Sequence, residues 1–143
     1  MSYGNAAKSS LLSLVLFLSG PAWGCDQEPA YVQTLRDGRK FAIFMTKEQV
    51  KNSPVWNDNA FPAMTWMRAS DFLIKWAKEK YKDYDEVKFY QIQIEGFPCP
   101  ELRQHRFYLF QLYLAKDGKE TLGGEHFGAV LLDGTVIGPT QIK

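Results

Sequence analysis

Cys25 and Cys99 are the only thiols in the chain, and His105 and His126 the only imidazoles. A thiol beside an imidazole suggests nucleophilic catalysis, with the ring nitrogen taking the proton and the sulfur attacking. Reactive cysteines usually sit at a helix N-terminus or beside cations. Cys99 instead lies in Phe97-Pro98-Cys99-Pro100, whose prolines dictate a rigid, extended loop. That setting argues against a catalytic thiol. Histidines 21 positions apart also lack a zinc-ligand spacing. Asp83, Asp85 and Glu86, mixed with Lys82 and Lys88, lack the spacing and the glycine of a calcium loop and read as a solvated turn. No phosphate-binding loop, Gly-x-Gly-x-x-Gly, His-Glu-x-x-His or Gly-x-Ser-x-Gly occurs. The residues predict neither a metal nor a cofactor, and a non-enzymatic role before an enzymatic one.

One polar constellation remains. His105-Arg106 and Glu125-His126 each open a strand-like run. If those strands pair antiparallel through the Lys116–Gly124 connection and their outer ends meet, Arg103, His105, Arg106, Glu125 and His126 gather at one end of a sheet. Arginine forks there would suit an anion or carboxylate. The plainer expectation is solvated strand ends with a cross-strand charge pair.

The cysteines take meaning from the first 24 residues. A polar start with Lys8 leads into the apolar run Leu11–Leu18, then Ser19-Gly20-Pro21 and the small residues Ala22 and Gly24. This is the layout of a secretory signal peptide, too short to span a membrane at the ~20 residues needed. It predicts a protein in the periplasm or medium, with residues 25–143 forming a single domain. An oxidising compartment permits a Cys25–Cys99 disulfide. Cleavage after Gly24 would instead expose Cys25 for acylation, since Gly24-Cys25 matches the end of a lipobox, although Trp23 and the missing leucine depart from it. The two fates exclude each other, and membrane association is expected only with the lipid.

In the remainder, Asp37-Gly38 between strand-like runs predicts a hairpin over Tyr31–Met45. Thr46 and Gln49 have the spacing of a capping box and predict a short helix that ends at Asn52-Ser53-Pro54. Trp66, Ala69, Leu73, Trp76, Ala77 and Tyr81 fall on one helical stripe, capped by Thr65 or by Ser70-Asp71. Three strands follow, over Val87–Glu95, Phe107–Ala115 and His126–Leu132, then a short one at Thr135–Ile137. In the first of them Val87 and Phe89 are out of phase with Tyr90, Ile92 and Ile94, which predicts a bulge near Tyr90. His126–Leu132 is apolar on both faces, so it is expected to be covered on both.

The predicted fold class is α+β: an antiparallel sheet of about four to five strands, one long amphipathic helix on one face and a short extra helix. In element order, and in the strand-turn-strand Val130–Val136, the chain resembles the cystatin-like and PepSY-like modules. That resemblance implies a binding or inhibitory role. The Gln-Val-Val-type loop of inhibitory cystatins does not occur, so protease inhibition is not implied.

The chain has 143 residues with 45% hydrophobic and 15% aromatic side chains, enough apolar material for one packed core. Residues 1–24 hold one cation and no acid, so the remainder balances 16 basic against 16 acidic groups. Such neutrality excludes nucleic acid as a partner, because phosphate backbones are held by clustered cations. The reading that follows is a small exported binding module whose partner is a protein or small molecule of the envelope or medium. Two alternatives stand beside it. One is a ligand binder or enzyme with a helix–sheet cavity lined by Trp66, Trp76, Phe89 and Tyr108. The other is a lipid-anchored envelope protein.

Overall fold

A computed structural model describes residues 28–121 and 123–143. The chain opens with a hairpin of β1 (Tyr31–Thr34) and β2 (Lys40–Ile43), then α1 (Lys47–Asn52) and α2 (Trp66–Lys80). Two long strands, β3 (Glu86–Gly96) and β4 (Arg106–Lys116), flank a 3-10 turn at Pro100–Leu102. The short strands β5 (Lys119–Thr121), β6 (Phe127–Leu131), β7 (Val136–Ile137) and β8 (Thr140–Ile142) complete the fold.

Local chemistry explains the boundaries. The Thr46 hydroxyl accepts the Gln49 N–H while the Gln49 side chain accepts the Thr46 N–H, so α1 starts with the expected capping box. Thr65, rather than Ser70-Asp71, caps α2. Two of the three Asp-Gly turns, at Asp37-Gly38 and Asp133-Gly134, share one construction. Leu35 N–H donates to the Arg39 carbonyl and Leu131 N–H to the Thr135 carbonyl. Gly38 and Gly134 take the left-handed conformation with φ of 86° and 92°. Asp37 and Asp133 each accept the backbone N–H two residues on. An aspartate that closes its own turn, followed by a residue without Cβ, is what a three-residue hairpin requires.

The strands form two antiparallel sheets. The larger has the order β3-β4-β6-β7, with β5 beside β4, and the smaller the order β1-β2-β8. The expected bulge is present, as the β3–β4 register shifts between Phe89 and Gln91. Alternation along β4 and β6 then sorts the core into two layers. Tyr108, Phe110, Leu112, Leu114 and Val130 face α2 and pack with Ala69, Leu73 and Ala77. Phe107, Leu109, Phe127, Ala129 and Leu131 face the smaller sheet and pack with Ile43, Met45, Val50 and Leu102. The central sheet is therefore covered by a helix on one face and by a second sheet on the other, which is why β6 is buried at every position. The helix layer matches the sequence expectation. The second sheet is additional: the N-terminal hairpin joins β8 instead of the sheet of β3, β4, β6 and β7.

The segment between the helices is tied down at three points. Leu132 N–H donates to the buried Ser53 hydroxyl at 3.1 Å, and Trp56 N–H to the Gln104 carbonyl at 2.7 Å. The Tyr108 phenol donates to the Met64 carbonyl at 2.8 Å.

Candidate functional site

The expected polar cluster does not assemble. The register pairs Phe107 with Leu131 and Gln111 with Phe127, and Leu112 N–H donates to the His126 carbonyl. Two antiparallel strands begin at opposite ends, so the start of β6 lies beside the far half of β4. Arg106 and His126 are thus separated by six residues along β4, about 20 Å. Arg103 follows the 3-10 turn and is exposed, and His105 and Arg106 stay at that end of the sheet. The Arg106 side chain lies against Gly96, where a Cβ would collide with its guanidinium. No single anion site can use all five residues.

Each half finds other company. Glu125 faces Arg39 at 3.9 Å beside a polar depression of about 550 Å³ under the β1–β2 turn. His126 packs edge-on against Tyr81 and Tyr84, with ring centroids at 5.3 and 6.2 Å. Lys80 lies over the Trp76 and Tyr81 rings at 5.0 and 5.7 Å, so its ammonium already serves as the cation for these aromatics. Burial pushes the Tyr81 phenol up to about 12, with the Glu125 and Tyr84 charges adding to it. Burial lowers the His126 pKa; the Lys80 charge acts in the same direction, and Glu125 opposes it.

The His126 shift has a stability consequence. The fold favours the neutral ring, so at pH 7 the group carries little penalty. Below the ordinary value of 6.5 the unfolded chain takes up the proton first, and stability falls until the pH reaches the lowered native value. The expected result is a Tm that declines between pH 7 and 5.5, with part of that slope removed by His126→Gln. Equal slopes in the two proteins would contradict it.

The cavity candidates also divide. Trp76 and Phe89 are packing residues. Trp76 rests over Gly128 and Gly138, and Phe89 meets Phe110 with centroids 5.3 Å apart. Trp66 and Tyr108 do come together, in a surface groove of about 350 Å³ completed by Trp56, Pro62, Ile92 and Ile94. Trp66 belongs to the apolar stripe of α2 but is the first residue of the helix and is 48% exposed. Ile94 on the opposite wall is 52% exposed. Tyr108 forms the floor, its ring 6.1 Å from Trp56 in an edge-on contact. The polar ends of two of these rings are already engaged: the Trp56 indole N–H donates to Asp58 at 2.9 Å and the Tyr108 hydroxyl to Met64. What the groove offers is apolar surface. Trp56 and Pro62 are not among the expected residues, because they lie in an irregular connection whose position depends on bonds to Gln104 and Tyr108.

Cys99 is 3% exposed in the layer between the sheets, and the described residues contain no free cysteine. Cys25 and the signal-like segment fall outside the described residues. No helix among the described residues is long and apolar enough to cross a membrane. Comparison with known families, curated protein sequences and solved structures returns no match. The described residues thus form a three-layer α+β fold with an exposed aromatic groove.

Proposed function

We propose that the protein is a small exported, non-catalytic binding module that receives an apolar group of its partner in the groove between Trp66 and Ile94. The observation that carries this reading is the groove itself: the half-exposed Trp66 and Ile94 side chains beside Trp56 and Tyr108, whose polar atoms bond to Asp58 and Met64. A binding site of this kind orients an apolar ligand by shape. Catalysis asks instead for several convergent titratable groups, and the one in this lining, the Tyr108 phenol, is bonded to the Met64 carbonyl. The packing of Trp76 and Phe89 into the core favours a surface site over an enclosed helix–sheet cavity.

The test uses 8-anilinonaphthalene-1-sulfonate as an apolar fluorescent probe. Probe binding is expected to be saturable and to weaken about tenfold or more in Trp66→Ala, the usual scale for removing a central aromatic anchor. Unchanged binding in that variant, with the fold intact by circular dichroism, would overturn the assignment.

The export reading rests on residues 1–24, and the arrangement of Cys99 favours a disulfide over lipidation. Ala30 and Tyr31 pack against the same apolar cluster that holds Cys99. Cys25 is five residues before Ala30, and five extended residues reach up to about 17 Å. Mass spectrometry of the mature protein without reductant should show unmodified Cys25 joined to Cys99; acyl-modified Cys25 would replace this with a lipid-anchored protein.

A further inference from the structure

Among the described residues an outer edge of the larger sheet is β3, which pairs there with β4 alone. Which of its backbone groups face outward follows from the ladder. Leu112 N–H points to β6, so Phe107, Leu109 and Gln111 turn theirs toward β3. Their partners Glu95, Gln93 and Gln91 bond inward. The N–H and C=O groups of Ile92 and Ile94 are therefore the ones that point outward, and no backbone bond to them from another element is present among the described residues.

Exposed edges are normally blunted by lysine, proline or a bulge within the strand. Here the bulge and Lys88 lie to the N-terminal side, and Gln91-Ile92-Gln93-Ile94 contains no charge and no proline. Ile92 and Ile94 also share the face of the apolar groove.

We infer that this edge associates with a second copy of the chain, β3 against β3 in antiparallel register centred on Gln93. A two-fold axis through an antiparallel pair must pass between identical residues, which limits the choice of register. With Gln93 on the axis, Ile92 lies opposite the second copy's Ile94, and both present outward backbone groups. The two such pairs exchange four hydrogen bonds and place four isoleucines side by side on one face. On the other face Glu95 lies opposite the second copy's Gln91, which keeps the two glutamates about 13 Å apart along the strand. Lys88, the first cation beyond the bulge and ion-paired with Glu86, is on that same face. Centring on Ile92 instead would bring Glu95 against Phe89 and force the bulge into the ladder. Centring on Ile94 would set Ile92 opposite Gly96 and bring the two glutamates to about 7 Å along the strand, so side-chain matching and charge placement select the Gln93 register. Five paired residues per copy make a small contact, so the dimer is a dissociating one.

Sedimentation of the purified protein from about 5 to about 500 µM should show a reversible rise toward the dimer. Ile94→Lys places a charge on a half-exposed edge residue and should weaken association about tenfold or more without unfolding the chain. Gln93→Cys tests the register, because the symmetric pair is non-hydrogen-bonded and has the closest approach, about 4.5 Å between Cα atoms. Mild oxidation should trap Gln93→Cys as a covalent dimer and leave Glu95→Cys and the parent protein uncrosslinked. A protein that stays monomeric over the whole range, or that dimerises equally well with Ile94→Lys, would overturn the inference.

Discussion

Phe110→Ala is expected to destabilise the protein by about 4 kcal/mol and to lower Tm by roughly 15 °C. Phe110 is 0% exposed at the centre of β4, with its ring 5.3 Å from Phe89 and 6.3 Å from Tyr108. Truncation removes the transfer free energy of a benzyl group and leaves a cavity that α2 and the sheet cannot both close. Small domains are held by about 5–15 kcal/mol in total, so the loss is a large fraction of the whole. Phe61 is 97% exposed and supplies the control, since Phe61→Ala should change stability by less than about 0.5 kcal/mol. Urea unfolding of the three proteins checks both values. A Phe110→Ala cost below about 1 kcal/mol would mean that the helix layer is not packed as described.

Gly128→Val is expected to cost a further large amount, about 3 kcal/mol, by overpacking. A Cβ at Gly128 would stand 2.7 Å from Leu73 Cδ1 and 3.1 Å from Trp76 Cζ3. Gly138 repeats the arrangement, with Trp76 Cζ2 2.5 Å from the added carbon. The indole therefore lies in a bed made by two residues that lack side chains, and this lets α2 approach the sheet closely. Any side chain at 128 must lift the helix or turn Trp76 out of place. Chemical denaturation together with the Trp fluorescence maximum checks this. Native-like stability with an unshifted spectrum would show that Trp76 does not rest on Gly128.

The apolar stripe that carries Leu73 and Trp76 onto the sheet is legible in the sequence. So are the Thr46–Gln49 capping box, the Asp-Gly turns and the Phe89–Gln91 bulge, because each is settled by side chains within a few positions. Burial of β6 on both faces is legible too, from Phe127–Leu132 being apolar without alternation. The identity of its second cover is not. That requires the Tyr31–Ile43 hairpin to pair with Thr140–Ile142, residues about a hundred positions away, and nothing local encodes such a partner.

The candidate sites follow the same division. Trp66 and Tyr108, expected to line one cavity, meet in a surface groove. Trp76 and Phe89 satisfy the same aromatic criterion and pack against the core. The difference lies in what each ring meets, with Gly128 and Gly138 under Trp76 and Phe110 beside Phe89, a matter of register and helix placement. The polar cluster fails for a related reason: strand direction puts His126 beside Leu112, far from Arg106.

By itself, then, the sequence determined the α+β class, the helix and its cap, the turns, the bulge and a net charge of only +1. Short-range sterics, hydrogen bonding and periodicity decide all of these. The tertiary structure alone decided which aromatics stay in water, which edge strand is left unpaired and which charged residues meet. Those outcomes depend on contacts between residues far apart in the chain, whose free energy appears only when the layers close on each other.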